Sequence, residues 1–563
     1  MKRILLLVTL LLPVCAFAAK PAVPEIVPAP RKVEMTKGCF NFKGVSINCD
    51  PAMDKQAFRA VRVFADQLTM ASGKLSSVAS PIGLPRAIES GKLKGLYFIQ
   101  DAGVPAEGYK ISMTPRATVV RASDLNGFLY SLQTLKQMLP VAVYGSSLAS
   151  RVKWRVPCCE IEDAPRFSYR GYMLDSSRHF WSVEEVKKIL DVLAIFKYNR
   201  FHWHLTDDQG WRIEIDKYPL LTEMGGFRNG TQIAGDPNTN DGIRYGGFYT
   251  KEQLKDVIEY AQARGITIVP EIDLPGHMQA ALYSYPWLGC AGSAPYQVRS
   301  VWGISHQVLN VGKEETMKFL EDVLSEVADL FPGEYIHIGG DECPRDEWKT
   351  DPDCQAKIAE LGLTDEGGVT AEARLQNYVT ARMQQFLSTK GKRIIGWDEV
   401  LEGELAPGAT VMSWRGTAGG IKAASMGYDV IMSPNTYCYL DYVQSQDFDS
   451  EPYSISHRWS EKKRKTRHAG TLDWVYSYEP LAEIPEEAHK HILGVQGNLW
   501  TEYIATNEYL EYMTLPRVLA ISEVQWCTPE NKNYERFISS LKNHELPLLD
   551  MLGYNYRKPD ELK

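Results

Sequence analysis

From Phe167 onward, β-type runs alternate with helical ones, and no other feature limits the available folds so strongly. Strand-type runs fall near Gly171–Leu174, Arg200–Leu205, Thr267–Ile272, Tyr335–Ile338, Arg393–Trp397, Thr410–Trp414, Asp429–Ser433 and Ile492–Trp500. Amphipathic stretches separate most of them, among them Val183–Tyr198, Lys251–Arg264, Glu315–Leu330 and Ala371–Thr389. The alternation predicts an α/β chain built on a (β/α)8 TIM barrel, a fold whose chemistry gathers where the strands end.

The expected strand ends carry an unusual set of side chains. The first three are followed by Asp175-Ser176-Ser177-Arg178-His179, by His202-Trp203-His204-Leu205-Thr206-Asp207-Asp208 and by Glu271-Ile272-Asp273-Leu274-Pro275-Gly276-His277. Trp397-Asp398-Glu399 and Trp414-Arg415 close the fifth and sixth, Tyr437 to Asp441 follows the seventh, and Trp500-Thr501-Glu502 closes the eighth. Aromatic walls with carboxylates between them suit a sugar, whose C–H faces stack on rings while its hydroxyls take charged hydrogen bonds.

The fourth strand end, Tyr335-Ile336-His337-Ile338-Gly339-Gly340-Asp341-Glu342, places two carboxylates side by side. Neighbours on a regular strand point to opposite faces, so Asp341 and Glu342 share one pocket only if the backbone bends, which Gly339-Gly340 permits. Paired carboxyls in a cleft can hold different protonation states, as glycoside cleavage requires. Taken alone, these eight residues are equally consistent with Asp341 capping a helix and Glu342 lying in solvent.

A chain of 563 residues exceeds what one core usually holds. We expect a leader over residues 1–18, a small α+β domain over 19–156, the barrel over 157–530 and a C-terminal helical extension, 531–563, packed on the barrel. Lys2 and Arg3, the apolar run Ile4 to Pro13 and the small residues Ala16 and Ala18 have the pattern of a secretory signal. Export to the periplasm or beyond is expected, with lipoprotein anchoring at Cys15 as the alternative. No other stretch is long and apolar enough to imply an integral membrane segment. Loss of Lys2 and Arg3 takes the formal charge from −8 to −10, which argues against nucleic acid as a partner. Ten cysteines become nine if Cys15 is removed, leaving an odd thiol. Cys39 and Cys49, placed symmetrically about Gly44, predict a hairpin that sets them opposite each other, and Cys343 with Cys354 is a second candidate pair.

These motifs resemble glycoside hydrolase family 20, the β-N-acetylhexosaminidases, over nearly the whole chain from about Pro24. The resemblance rests on Asp-x-x-Arg-His at 175–179, His-x-His-Leu-x-Asp-Asp at 202–208, Asp-x-Pro-Gly-His at 273–277, Gly-Gly-Asp-Glu at 339–342 and Leu-Trp-x-Glu at 499–502. It implies an exo-acting retaining enzyme that removes terminal β-linked N-acetylglucosamine or N-acetylgalactosamine from glycans, with the substrate's own acetamido oxygen as nucleophile. Glu342 is then the acid and later the base, and Asp341 holds the acetamido N–H. Arg178 and Glu502 bind the non-reducing edge, closing the pocket to longer chains, although a related disaccharide-releasing activity stays open. Trp397, Trp414 and Trp500 box the sugar, Tyr439 donates to the acetamido carbonyl with Tyr437 as an alternative, and Asp441 binds a hydroxyl. Asp207 and His277 are grouped with the substrate-binding residues and, with Asp273, resemble the polar support around Glu342.

The resemblance implies no cofactor and no metal. A competing reading makes His202 and His204, which face the same way along a strand, metal ligands completed by Asp207, His277 or His337. A third is a non-catalytic sugar-binding barrel. The long connection from Val443 to Lys490 carries the basic run Lys462-Lys463-Arg464-Lys465-Thr466-Arg467, which we expect either to meet an anionic substituent such as sulfate or to be a solvated loop. Linkage, aglycone and oligomeric state are not encoded legibly.

Overall fold

The eight expected barrel strands all form, and they pair in parallel to close on themselves. In a computed structural model that describes residues 23–81 and 93–563, they span Tyr169–Asp175, Arg200–His204, Thr267–Glu271, Tyr335–His337, Arg393–Trp397, Thr410–Ser413, Val430–Met432 and Ile492–Leu499. The expected leader and Cys15 lie outside the described residues. Tyr169, Val269, Tyr335, Ile395, Met412 and Ile431 fill the barrel interior, while a larger apolar cluster packs the outer helices onto the strands. Ser182 caps the helix Val183–Ile195, and Thr250 forms a reciprocal capping box at the start of Lys251–Gln262, which explains why both helices begin sharply.

One connection departs from the strand–helix alternation. The fifth strand runs directly into a single 3-10 turn, Asp398–Leu401, before the sixth strand begins.

Register places a polar layer at the top of the barrel. Asp175 lies opposite His204 and His204 opposite Glu271, which in turn lies opposite His337. Such layers usually hold branched apolar residues, so burying this ring carries a desolvation cost that only mutual pairing offsets.

Residues 23–163 carry a separate core. A seven-stranded mixed sheet in the order β1 (Lys32–Asn41), β7 (Arg155–Asp163), β5 (Tyr109–Met113), β6 (Ala117–Ala122), β4 (Gly95–Gln100), β2 (Ile47–Cys49), β3 (Val78–Ala79) packs with helices Lys55–Ser72 and Leu125–Gln137. Asp54 and Asp124 cap these helices, and Gly73, at φ +66°, terminates the first in the left-handed conformation. This unit meets the starting ends of the first two barrel strands, away from their functional ends. Glu107 pairs with Arg170 at 2.9 Å and accepts from Asn199, and Asp163 takes Lys197 at 3.1 Å and the Trp526 indole at 2.9 Å. The C-terminal helices Tyr534–Ser540 and Leu546–Leu552 reach both units, because Arg536 donates to Ile26 O and Ser539 to Glu25 while the Tyr554 hydroxyl reaches Lys188 O.

The expected cysteine pairs do not form. β1 pairs with β7, placing Cys39 opposite Pro157, whereas β2 pairs with β4, so no hairpin joins Cys39 to Cys49. Cys343 packs beside Gly276 and is free, as is Cys354. The Cys354 thiol donates to Asn310 Oδ1 at 3.3 Å and neighbours Cys290, whose own thiol that neighbour and burial raise well above its usual range. Asp351 gathers both segments, accepting from Ala291 N at 2.8 Å and Cys354 N at 2.9 Å. Oxidation with glutathione disulfide is therefore expected to cross-link Cys290 to Cys354, read by non-reducing peptide mapping; Cys343 linked to Cys354 would contradict this geometry.

Candidate active site

The site begins with backbone that only small residues permit. Gly339 and Gly340 adopt φ of +62° and +94°, and a Cβ at Gly339 would lie 1.8 Å from Asp273 Oδ1. Gly340 N donates to the same Asp273 oxygen at 3.1 Å. Glu342 and His277 are themselves left-handed, at φ +48° and +52°, conformations that cost non-glycine residues about 1–3 kcal/mol. The bend brings both carboxyls to one imidazole: His277 Nε2 lies 3.9 Å from Asp341 Oδ2 and 3.8 Å from Glu342 Oε2. Asp341 is buried, whereas the Glu342 side chain is 37% exposed, so Glu342 is the member open to a leaving group.

Behind the pair runs a chain of alternating acids and bases. His277 Nδ1 lies 3.2 Å from Asp207 Oδ1, Asp207 Oδ2 lies 3.0 Å from His204 Nε2, and His204 Nδ1 lies 2.5 Å from Glu271 Oε2. An imidazole bridging two carboxylates needs a proton on each nitrogen. Burial opposes that charge, but Glu271 and Asp207 hold His204 well above its ordinary range. Burial likewise works against Asp207 as an anion, and Arg178 with His277 overrides it, holding the carboxyl well below the usual range. The Asp341–Glu342 pair is shifted the other way. Burial raises Asp341, aided by Glu271 and Asp207, and raises Glu342, aided by Asp341. Carboxyls pushed up in this way can remain protonated where an acid catalyst is needed.

Arg178 anchors the opposite end of the pocket. Its Nη2 lies 2.7 Å from Asp207 Oδ2, its Nη1 3.2 Å from Asp175 Oδ2, and its Nε donates to Gln209 Oε1 at 3.0 Å. The guanidinium lies over the Trp500 ring at 4.9 Å. From Trp500 the wall continues to Trp397 at 5.9 Å and Tyr439 at 6.4 Å, and Tyr439 stacks on Trp414 at 6.1 Å with planes 17° apart. Asp441 is buried beside Glu502, and burial and that charge raise its carboxyl. Buried Asp341 Oδ1 and Asp441 Oδ1 have no hydrogen-bond partner among the described residues, an arrangement suited to ligand donors.

The structure gathers Arg178, Asp207, Asp273, His277, Asp341 and Glu342 with the Trp397, Trp414, Tyr439 and Trp500 wall, Asp441 and Glu502, but leaves out Tyr437 and most of the basic run. Asp207 is 1% exposed with both oxygens engaged, so it reaches the pocket through Arg178 and His277 and is support, not a direct sugar contact. Tyr439 lies beside Trp414 and Trp500, whereas Tyr437 stacks away from them on Trp474 and Tyr478. In the basic run, Arg464 donates to His457 O and Lys465 pairs with Glu461; Arg467, donating to Tyr442 OH at 2.7 Å, is the member that approaches the pocket. His202, Glu271 and His337 form one of four side-chain groups among the described residues whose ligand atoms lie within 4.8 Å of one another, but Glu271 is already engaged by His204 and by the Trp397 indole at 3.0 Å. Sequence reasoning missed the supporting roles of Glu271 and Gln209. It also missed Asp398 and Glu399, although they stand in a strand-end motif, because their roles depend on the Trp414 loop they meet.

The chain matches the family model "Glycosyl hydrolase family 20, catalytic domain" over residues 167–529 and "domain 2" of the same family over residues 23–164. It is 42% identical over 539 residues to a beta-hexosaminidase of Porphyromonas gingivalis, covering 95% of this chain and 64% of that protein's length. Among solved structures, it is similar to a GH20 exo beta-N-acetylglucosaminidase of Vibrio harveyi in complex with N-acetylglucosamine, with a TM-score of 0.80 and 35% identity, covering 95% of this chain and 79% of that one. A GH20 beta-N-acetylhexosaminidase of Streptomyces coelicolor is similar with a TM-score of 0.79 and 30% identity, covering 96% of this chain and 98% of that one.

Proposed function

This chain belongs to glycosyl hydrolase family 20, and from that membership together with the pocket we propose that it is an exo-acting retaining β-N-acetylhexosaminidase. The observation that carries the reading is the placement of Asp341 and Glu342 on one side, both facing His277. A protein nucleophile needs a second carboxylate about 5 Å away across the scissile bond. Two neighbours at one strand end do not straddle a sugar, and a 2-acetamido group removes the need because its carbonyl oxygen attacks the anomeric carbon.

In this mechanism Glu342 protonates the leaving oxygen as the acetamido oxygen closes an oxazolinium ring. The unpartnered Oδ1 of Asp341 accepts the acetamido N–H, orienting the nucleophile and countering the charge that develops on nitrogen. Tyr439 donates to the acetamido oxygen, and Trp397, Trp414 and Trp500 exclude water from the ring until departure of the aglycone admits one. Glu342, now ionised, activates that water, and the second inversion restores the β-configuration. Arg178, Glu502 and Asp441 bind hydroxyls of the terminal sugar, and Asp273 supports the bend.

We further propose export directed by residues 1–18; no helix among the described residues is long and apolar enough to cross a membrane.

Hydrolysis of an aryl 2-acetamido-2-deoxy-β-glucoside, set against the matching β-glucoside, tests the mechanism. Turnover is expected for the acetamido substrate and to be near background for the other. Comparable turnover of both would remove the substrate-assisted mechanism and require a protein nucleophile.

A further inference from the structure

We propose that Glu399 is a positioning residue of the reaction, holding the Trp414 wall of the pocket in place and coupling it to Asp341. The proposal rests on the pocket assignment above and extends it to a residue that touches neither sugar nor reacting atoms.

The shortened fifth connection creates the arrangement. Because the strand Arg393–Trp397 enters a 3-10 turn directly, Asp398 and Glu399 remain at the barrel mouth. Trp397 N donates to Gly339 O at 2.9 Å, which ties this turn to the glycine bend that carries Asp341. Asp398 then fixes the backbone of the next strand end, its Oδ2 accepting from Trp414 N at 3.0 Å and Arg415 N at 3.2 Å. Glu399 fixes the ring, its Oε2 accepting the Trp414 indole N–H at 2.9 Å. Both N–H groups of Trp414 therefore end on this dipeptide, and the ring they orient stacks on Tyr439.

Charged groups surround the Glu399 carboxyl unequally. Asp341 faces it from the fourth strand end and Asp398 from its own turn. Arg415 Nη1 approaches to 3.5 Å from the sixth, but that guanidinium also holds Asp398 and Glu402, and Glu402 is shared with Arg345. Burial, then Asp341, push the carboxyl up to about 8 despite the indole and Arg415. Through neutral pH Glu399 is thus an uncharged acid that accepts from Trp414 and still has one proton to donate. Ionisation above that range adds a second anion beside Asp341, opposing the charged state in which Asp341 receives the acetamido N–H. The same acid thus anchors the wall and spares Asp341 a competing charge.

Glu399→Gln and Glu399→Ala separate these roles, assayed by kcat and KM from acid to alkaline pH on the aryl acetamido substrate. Glutamine keeps an acceptor and a donor without charge, so the variant is expected to retain turnover at neutral pH and to lose the part of the alkaline decline that begins above about 8. Alanine frees the indole, and KM is expected to rise by up to about 10-fold, the net worth of one buried hydrogen bond. An alanine variant that matches the glutamine variant, or a glutamine variant with the wild-type alkaline limb, overturns the proposal. A turnover-independent readout is the fluorescence contributed by Trp414, defined by difference from Trp414→Phe. It is expected to titrate near 8 in the wild-type chain and to stay flat in Glu399→Gln; a titration unchanged by that substitution refutes the coupling. Absent hydrolysis with this titration intact would count against the function alone.

Discussion

Glu342→Gln is expected to lower kcat on alkyl-linked and glycan substrates by about 10²–10⁴-fold, the range for loss of a positioned general acid. The amide fills the same space at the open end of the pair but has no proton to give the departing oxygen. The defect is expected to shrink on aryl glycosides of acidic phenols, which leave unaided, and to persist in hydrolysis of the oxazolinium, where Glu342 acts as base. Asp341→Asn has a different signature. Asp341 Oδ1 lies buried with no partner among the described residues, and an amide there can turn an N–H toward the acetamido N–H, so the nucleophile is misaligned whatever the leaving group. A loss of about 10²–10³-fold, independent of leaving-group acidity, follows from removing one preorganised electrostatic contact. A plot of log kcat against phenol pKa for both variants checks the assignment; equal slopes would mean the two carboxyls do not divide the work as assigned.

Arg178→Met is expected to damage binding and stability together. The side chain is buried against Asp175 and Asp207 and electrostatically coupled to Glu502. Removing one partner of such a group leaves uncompensated buried charge, a loss of about 3–5 kcal/mol. KM is expected to rise because the anchor for the sugar edge is gone. kcat falls with it, since Asp207 no longer fixes His277. The pH dependence has a definite sign. Asp207 is held well below its ordinary range by Arg178 against the cost of burial. A depressed carboxyl contributes stability above its unfolded pKa of about 4, and that contribution disappears as pH falls through the folded value. The gap in unfolding free energy between wild type and variant is therefore expected to be widest at neutral pH and to narrow on acidification. Denaturant titrations at two pH values measure it, and a gap that widens in acid would contradict the pairing.

The barrel was legible because strand and helix periodicities differ, and the strand ends were legible because acids and tryptophans seldom cluster by chance. Arg393–Trp397 has its expected bounds, and the other strands shift by a few residues at their termini. Pairing over long sequence distances was not legible. Cys39 and Cys49 look like hairpin partners only until β1 pairs with a strand more than a hundred residues away. Within the site, the meeting of Asp341 and Glu342 in one pocket was legible, because the neighbouring glycines announce the bend. Supporting positions were hidden for Glu271 and Glu399, since a carboxylate at a strand end can face the ligand or its supports, and only the partner side chains decide which.

The seam near residue 164 divides the two family matches but not the folded energetics of the chain. Lys197 and Asp163 meet across it with no solvent exposure, and Arg170 reaches Glu107 in the same interface. Peeling the units apart would break these ion pairs and expose the apolar surface packed around them, so melting of one unit removes contacts on which the other depends. The sheet that touches no substrate thereby lends its cooperativity to the barrel, and a substitution buried in that sheet carries a penalty felt as lost enzyme.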